Sequence, residues 1–205
     1  MVSNLELSVE LTKRRRIINA QECKHELHVP LLRMFRAFWN AKRNYEIEVV
    51  QTPYSARCRG FGASLFNSKI IQSTQFEFRE NCSFGRYKRF MLRINGYIIL
   101  FKKLDNHDMP MNVSTNSALR IRNQEQGYLF DNLDDGTEPI LFFGYNTTRF
   151  GEIVNPKLVY IDEDKVRWVI TEKDIADNKT IAIPQPTAPT LFLRENIKKK
   201  DGTNI

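Results

Sequence analysis

Cysteine is scarce: Cys23, Cys58 and Cys82 are the only three in 205 residues. They show no paired spacing, which excludes a disulfide framework and points to a reducing compartment, the cytoplasm. No apolar run is long enough to span a bilayer. The longest uncharged stretch near the C-terminus, 180–193, carries Pro184, Pro186 and Pro189, so no transmembrane helix is expected. The opening residues, through Arg14-Arg15-Arg16, contain no apolar core of the signal-peptide kind, so secretion is not expected either. There is no Gly-x-Ser-x-Gly elbow and no P-loop, and Gly60-Phe61-Gly62 lacks the further glycine and lysine that a nucleotide loop needs. Repeats, heptads and low-complexity blocks are missing too. The residues alone name no reaction, and no cofactor is implied.

What is present is an ordinary globular composition, 41% apolar and 27% charged. Lysine and arginine outnumber the acidic residues 31 to 24, a net charge of +7 that favours an acidic partner. From Leu31 to Tyr45 the apolar Leu31, Met34, Phe35, Phe38 and Tyr45 recur at helix spacing. Pro30 stands where such a helix would begin, and Arg33, Arg36, Asn40 and Arg43 gather on its other side. Residues 5–12 fit a strand by alternation, yet Ser3 and Glu6 form a capping box, and helix is the preferred reading. Residues 51–68, with Pro53, Gly60 and Gly62, read as loop.

The β region is expected to start near residue 74, where Phe76 and Phe78 alternate with Glu77 and Arg79. Asn95-Gly96 between the apolar runs 90–94 and 97–101 is the strongest hairpin signal in the chain, because a type I′ turn needs positive φ at both central residues. A polar helix is expected over 115–126, capped by Ser114 or Thr115. An acidic, turn-like stretch follows (Asp131, Asp134, Asp135, Glu138). Three strands are then legible, 140–145, 158–161 and 166–170, the last two joined by Asp162-Glu163-Asp164. The expectation is an α+β protein. A helical N-terminal part (1–50) packs on a mainly antiparallel sheet of about six strands (74–172), forming one domain over 1–178 with a loose, basic, Pro-containing tail at 179–205.

Several groups of residues invite a chemical reading. Cys23, His25 and His28 are metal-capable, but the histidines are at i, i+3 rather than the i, i+4 of a zinc-peptidase helix, and His107 is the only other histidine; no metal site is expected. Cys58 lies between Arg57 and Arg59, which would favour a thiolate, though a bystander thiol is the preferred reading. Asp105, with Glu77 as a second carboxylate, is the nearest approach to a nuclease metal site.

The broadest feature is basic. Arg14, Arg15, Arg16, Arg33, Arg36 and Arg43 are joined by Arg79, Arg86, Lys88, Arg89, Arg93, Lys102 and Lys103, interleaved with Phe84, Tyr87 and Phe90. Cations neutralise phosphates and aromatic rings stack on bases, which makes nucleic acid a candidate partner. Solvated charge or an acidic protein partner would use the same residues.

From Phe90 onward the segments Phe101-Lys-Lys-Leu-Asp105, Met109-Pro-Met-Asn112, Thr115-x-x-Ala118, Gln124 to Gln126, Leu141-Phe-Phe-Gly144-Tyr145 and Val166-Arg-Trp168 occur in an order similar to that of a bacterial family of toxin components. These are encoded beside antitoxins that join an Xre-type helix-turn-helix to an ImmA-type zinc-peptidase-like domain. The resemblance covers 90–170. It implies a growth-inhibiting cytoplasmic toxin silenced by a cognate antitoxin protein, and supplies no catalytic set. The positions matching the motif are Lys102, Lys103, Asp105, Thr115, Gln124, Gly144, Tyr145 and Trp168. Gly144, Tyr145 and Trp168 are open to a packing explanation. Lys102, Lys103, Asp105, Gln124 and Tyr145 are the candidate ligand-binding residues, and Lys103 and Asp105 the candidates for catalysis, being polar groups where a strand gives way to a loop. The runner-up reading is a basic nucleic-acid-binding protein or nuclease of phage or mobile-element origin.

Overall fold

The structure is a computed structural model that describes residues 16–111, 113–129 and 138–176. The segment 5–12, Arg14 and Arg15, most of the acidic stretch, and the tail 179–205 with its prolines lie outside those residues. The architecture is α+β. Helix α1 (Ala20–Val49) and helix α2 (Phe61–Phe78) pack on a six-stranded sheet made of β1 (Cys82–Gly85), β2 (Arg89–Ile94), β3 (Tyr97–Lys103), β4 (Ile140–Thr147), β5 (Ile153–Asp162) and β6 (Lys165–Thr171). Helix α3 (Asn116–Arg122) lies in the connection between β3 and β4, and a short α4 (Glu172–Ala176) follows β6.

Spatial order equals chain order, and every neighbouring pair is antiparallel except β3–β4, which is parallel. Alternation along the strands divides the apolar residues between two faces. Leu92, Tyr97, Ile99, Leu141, Phe143, Leu158 and Tyr160 join Leu27, Leu31, Phe35, Phe38 and Phe66 under the two long helices. Met91, Ile98, Leu100, Phe142 and Val159 face the opposite way, onto Ile121 and Leu129. Both faces of the central strands are therefore dry, which explains why β4 reads as a continuous apolar run.

The hairpins form at the turn dipeptides. Asn95 and Gly96 have φ of 50° and 75°, and Glu163 and Asp164 have φ of 52° and 56°. Three expectations are corrected. Residues 61–78 are helix α2, so the sheet begins at Cys82 rather than near 74, and the loop expected over 51–68 ends at Gly60. Gly60, at φ 85°, supplies the left-handed N-cap that allows the chain to turn from a breaker-rich passage into a helix. Phe76 and Phe78, two positions apart on that helix, point to different sides: Phe78 is buried and Phe76 is exposed. A short period-2 alternation cannot distinguish this from a strand.

The second correction concerns Pro30. It lies inside α1, not at its start, and is buried. A proline there has no N–H for the carbonyl four residues back, which normally breaks a helix. Here the side-chain amide of Asn95, on the hairpin turn, donates to that Glu26 carbonyl at 2.8 Å. The missing donor is supplied from another element, and α1 continues for another nineteen residues. Third, the helix expected over 115–126 stops at Arg122; Thr115 is its N-cap and accepts from the Ala118 N–H at 3.1 Å.

Candidate functional site

Of the five candidate ligand residues, Lys102, Lys103, Asp105 and Tyr145 lie together where β3 and β4 end, and Gln124 does not join them. Tyr145 is buried in the core against Phe38 and Phe66, its ring centroid 4.9 Å from that of Phe66, and burial pushes its phenol up to about 12. Lys103 is in register with Tyr145 across the parallel pair. Asp105 shapes a turn: its Oδ1 accepts from the N–H groups of His107 (2.8 Å) and Met109 (2.9 Å), while Asn146 donates to its backbone carbonyl. Gln124 lies at the opposite end of β4. With φ of 67°, it accepts from the Ile140 N–H at 2.7 Å and donates to the carbonyls of Ile140 and Ile161. It staples β4 to β5 at that end. Gly144 explains itself by packing, since a Cβ there would sit closer than 3.0 Å to three atoms of the Leu104 side chain. Trp168 stacks on Tyr160 at 5.3 Å and donates to the Ile18 carbonyl at 3.0 Å.

The carboxylates of the nuclease reading are also separated. Glu77 lies on α2, where it accepts from Arg36 at 2.8 and 3.0 Å and its backbone carbonyl accepts from Arg33. The hydrogen bond from Arg36, more than the attraction of its charge or of Arg33, holds the Glu77 carboxyl below its ordinary range. Among the described residues no three His, Cys, Asp or Glu side chains cluster as metal ligands. Cys23 is fully buried, and that burial pushes its thiol up to about 12, disfavouring the thiolate. Cys58 is exposed, and its neighbour Arg57 spends its guanidinium on the carbonyls of Val49 and Thr52 that close α1.

Among the described N-terminal arginines, Arg16, Arg33 and Arg36 have carboxylate partners. Arg16 binds Glu22 and Glu26 at 2.6 and 2.8 Å, and Arg33 and Arg36 share Glu77. On that face of α1 Arg36 and Arg43 are both exposed, Arg36 while paired with Glu77.

Charge and aromatic surface converge instead at the β1 edge of the sheet. A cleft of about 260 Å³ opens where the β1–β2 connection passes α2. Asn67 and Ile71 of α2 form one wall; Tyr87, Lys88, Arg89 and Phe90 form the floor; Phe101 and Lys102 of β3 close it. Arg89 and Lys102 line the same cleft, close enough for the charge of one to act on the other. Burial first, and the Arg89 charge second, lower the Lys102 ammonium below its usual pKa. Burial also lowers that of Arg89. No carboxylate among the described residues pairs with Lys102.

The backbone here is strained as well as charged. Tyr87 and Lys88 are consecutive left-handed residues, with φ of 58° and 54°. Each costs on the order of 1 kcal/mol, and such residues persist only where their surroundings fix them. The anchor is visible: the Arg86 N–H donates to the Leu129 carbonyl at 2.8 Å, and Gly85 is pressed so closely on Leu129 and Met91 that it has no room for a side chain. The turn presents Tyr87, 80% exposed, beside the half-exposed Phe84. From Phe84 a ladder of rings runs through Phe90 and Phe101 to Phe143, with centroids 5.5 to 5.8 Å apart, joining the cleft to the core.

Sequence reasoning had named the cations and aromatics of this cleft but not their α2 wall. Asn67 fell in the stretch read as loop, and Ile71 carries no signal of its own. No protein-family model, no curated protein and no solved structure matches the chain. No helix among the described residues is long and apolar enough to cross a membrane.

Proposed function

We propose that this chain binds single-stranded nucleic acid at the β1 edge, with phosphates at Lys88, Arg89 and Lys102 and a base against Tyr87. The observation that carries this reading is the half-buried Lys102 ammonium set beside Arg89 in one cleft. No carboxylate among the described residues pairs with it. Such an arrangement costs stability in the free protein and is relieved by an anion. A bare anion would leave Tyr87 and Phe84 without a role. A strand of nucleotides uses both features, because phosphates answer the cations and bases stack on exposed rings.

Fluorescence anisotropy of labelled oligo-dT and oligo-U tests this. Binding whose log affinity falls linearly with log salt, and which weakens in Tyr87→Ala, is the expected result. No retention of either oligonucleotide at low salt overturns the proposal. The resemblance to toxin components extends the proposal to a growth-inhibiting protein whose antitoxin would cover the same cleft. Arrest on induced expression, relieved by Lys102→Met, is the result that reading requires.

A further inference from the structure

The hairpin turn that repairs α1 is also a chemically unstable one. Asn95-Gly96 is the only Asn-Gly pair in the chain, and both residues are exposed. Glycine after asparagine leaves its amide nitrogen unhindered, so that nitrogen can close on the asparagine side chain. We infer that Asn95 is a site of spontaneous deamidation, and that the modification disables the one donor that bridges the Pro30 gap in α1.

The chemistry needs only water. The Gly96 nitrogen attacks Cγ of Asn95; the new C–N bond forms as the Cγ–Nδ2 bond breaks, and Nδ2 leaves as ammonia with the proton lost by Gly96. Water then opens the resulting succinimide ring at one of its two carbonyls, giving aspartate or isoaspartate. Either product replaces the Nδ2 donor with a carboxylate oxygen. That oxygen would face the Glu26 carbonyl, which Nδ2 now approaches at 2.8 Å, and it would stand near the Glu26 carboxylate, which already accepts from Arg16 at 2.8 Å and from the Tyr97 hydroxyl at 2.5 Å. An acceptor would meet an acceptor, and a charge would meet its like. Isoaspartate adds a backbone atom as well, which shifts the register of the two-residue turn.

The closed joint protects itself, because the native bond holds Nδ2 and the turn fixes both backbones in the left-handed region. Ring closure therefore occurs when the joint opens, and the product does not close again. The inference does not depend on what the β1 cleft binds.

The experiment ages the full chain at mildly alkaline pH and follows it by peptide mapping and thermal unfolding. The peptide containing Asn95 should gain the mass of an amide turned acid before any other asparagine peptide, and the Tm of the aged protein should fall by about 3 °C, as for loss of one hydrogen bond in a chain of this size. Asn95→Asp, which keeps a turn-competent residue, should reproduce that fall directly. Pro30→Ala restores the backbone donor, so in that background the fall caused by Asn95→Asp should at least halve. An Asn95 that outlasts the other asparagines, an aged protein with unchanged Tm, or an equal loss with and without Pro30 overturns the inference. The aged wild-type chain provides the Tm comparison if N95D does not fold.

Discussion

Replacing Lys102 by methionine should make the protein more stable and a poorer binder. Methionine keeps the length of the lysine stem and removes the charge beside Arg89. With the two charged heads taken about 8 Å apart in an effective dielectric of about 40, their repulsion is on the order of 1 kcal/mol. Removing it, together with the cost of holding a half-buried ammonium, should raise Tm by roughly 2–4 °C for a chain of this length. Binding should move the other way. Three cations on a single strand give a slope of log affinity against log salt near about −2, at roughly 0.7 per phosphate, and the variant should retain about −1.4. At 0.1 M salt the same scaling predicts an affinity loss of about five-fold. Thermal unfolding and anisotropy titrations on one preparation measure both arms. pH provides a third. The folded-state pKa of Lys102 lies below its unfolded value, so between the two the unfolded chain holds more protons. Wild-type stability should therefore rise with pH in that window while binding weakens, and Lys102→Met should lose this contribution to both trends. A variant with lower Tm and an unchanged salt slope would show that the lysine serves as a packing stem and would refute the reasoning.

Three further substitutions separate packing from recognition. Gly144→Ala forces a methyl onto Leu104 and should cost about 1–3 kcal/mol by thermal unfolding; in a Leu104→Ala background the added cost should shrink, and a Gly144→Ala protein with wild-type Tm would contradict the close approach. Gln124→Ala leaves the N–H and carbonyl of Ile140 and the carbonyl of Ile161 without their side-chain partner, a loss of about 2 kcal/mol, with oligonucleotide affinity unchanged. Glu77→Gln should cost about 1 kcal/mol at neutral pH, discounted because Arg36 is largely exposed. Its carboxyl is depressed in the folded state, so that contribution is present above the unfolded carboxyl pKa and disappears as pH falls through the folded one. Wild type and Glu77→Gln should then converge in acid; a constant gap would mean the loss is steric.

The parts legible in the sequence were those decided locally. Asn95-Gly96 and the turn at 163–164 impose hairpins on their flanks whatever surrounds them, and the Leu31–Phe38 stripe buries as its spacing requires. What stayed hidden depended on distant partners. Pro30 reads as a helix start until Asn95 arrives from another element. The α2 helix carries buried Ser73 and Thr74 among its apolar positions and opens with glycines, so neither its period nor its cap announces it. The resemblance segments kept their order along the chain, yet Tyr145 and Gln124 are used for packing and stapling at opposite ends of β4. The cleft required α2 to be recognised as a helix, and its cations looked like ordinary surface charge until Arg89 and Lys102 were seen as neighbours.

The lone parallel pairing gives the sheet a seam. On one side β1 to β3 zip together through tight local turns, and on the other β4 to β6 do the same; within the sheet, only β3 and β4, where Ile98 meets Ile140, join strands distant in the chain. Each triplet can assemble early, while their union waits for the crossover to close its long loop. Severed within that crossover, the chain would yield two complementary halves, each carrying a half-finished ribbon whose raw margin fits the other.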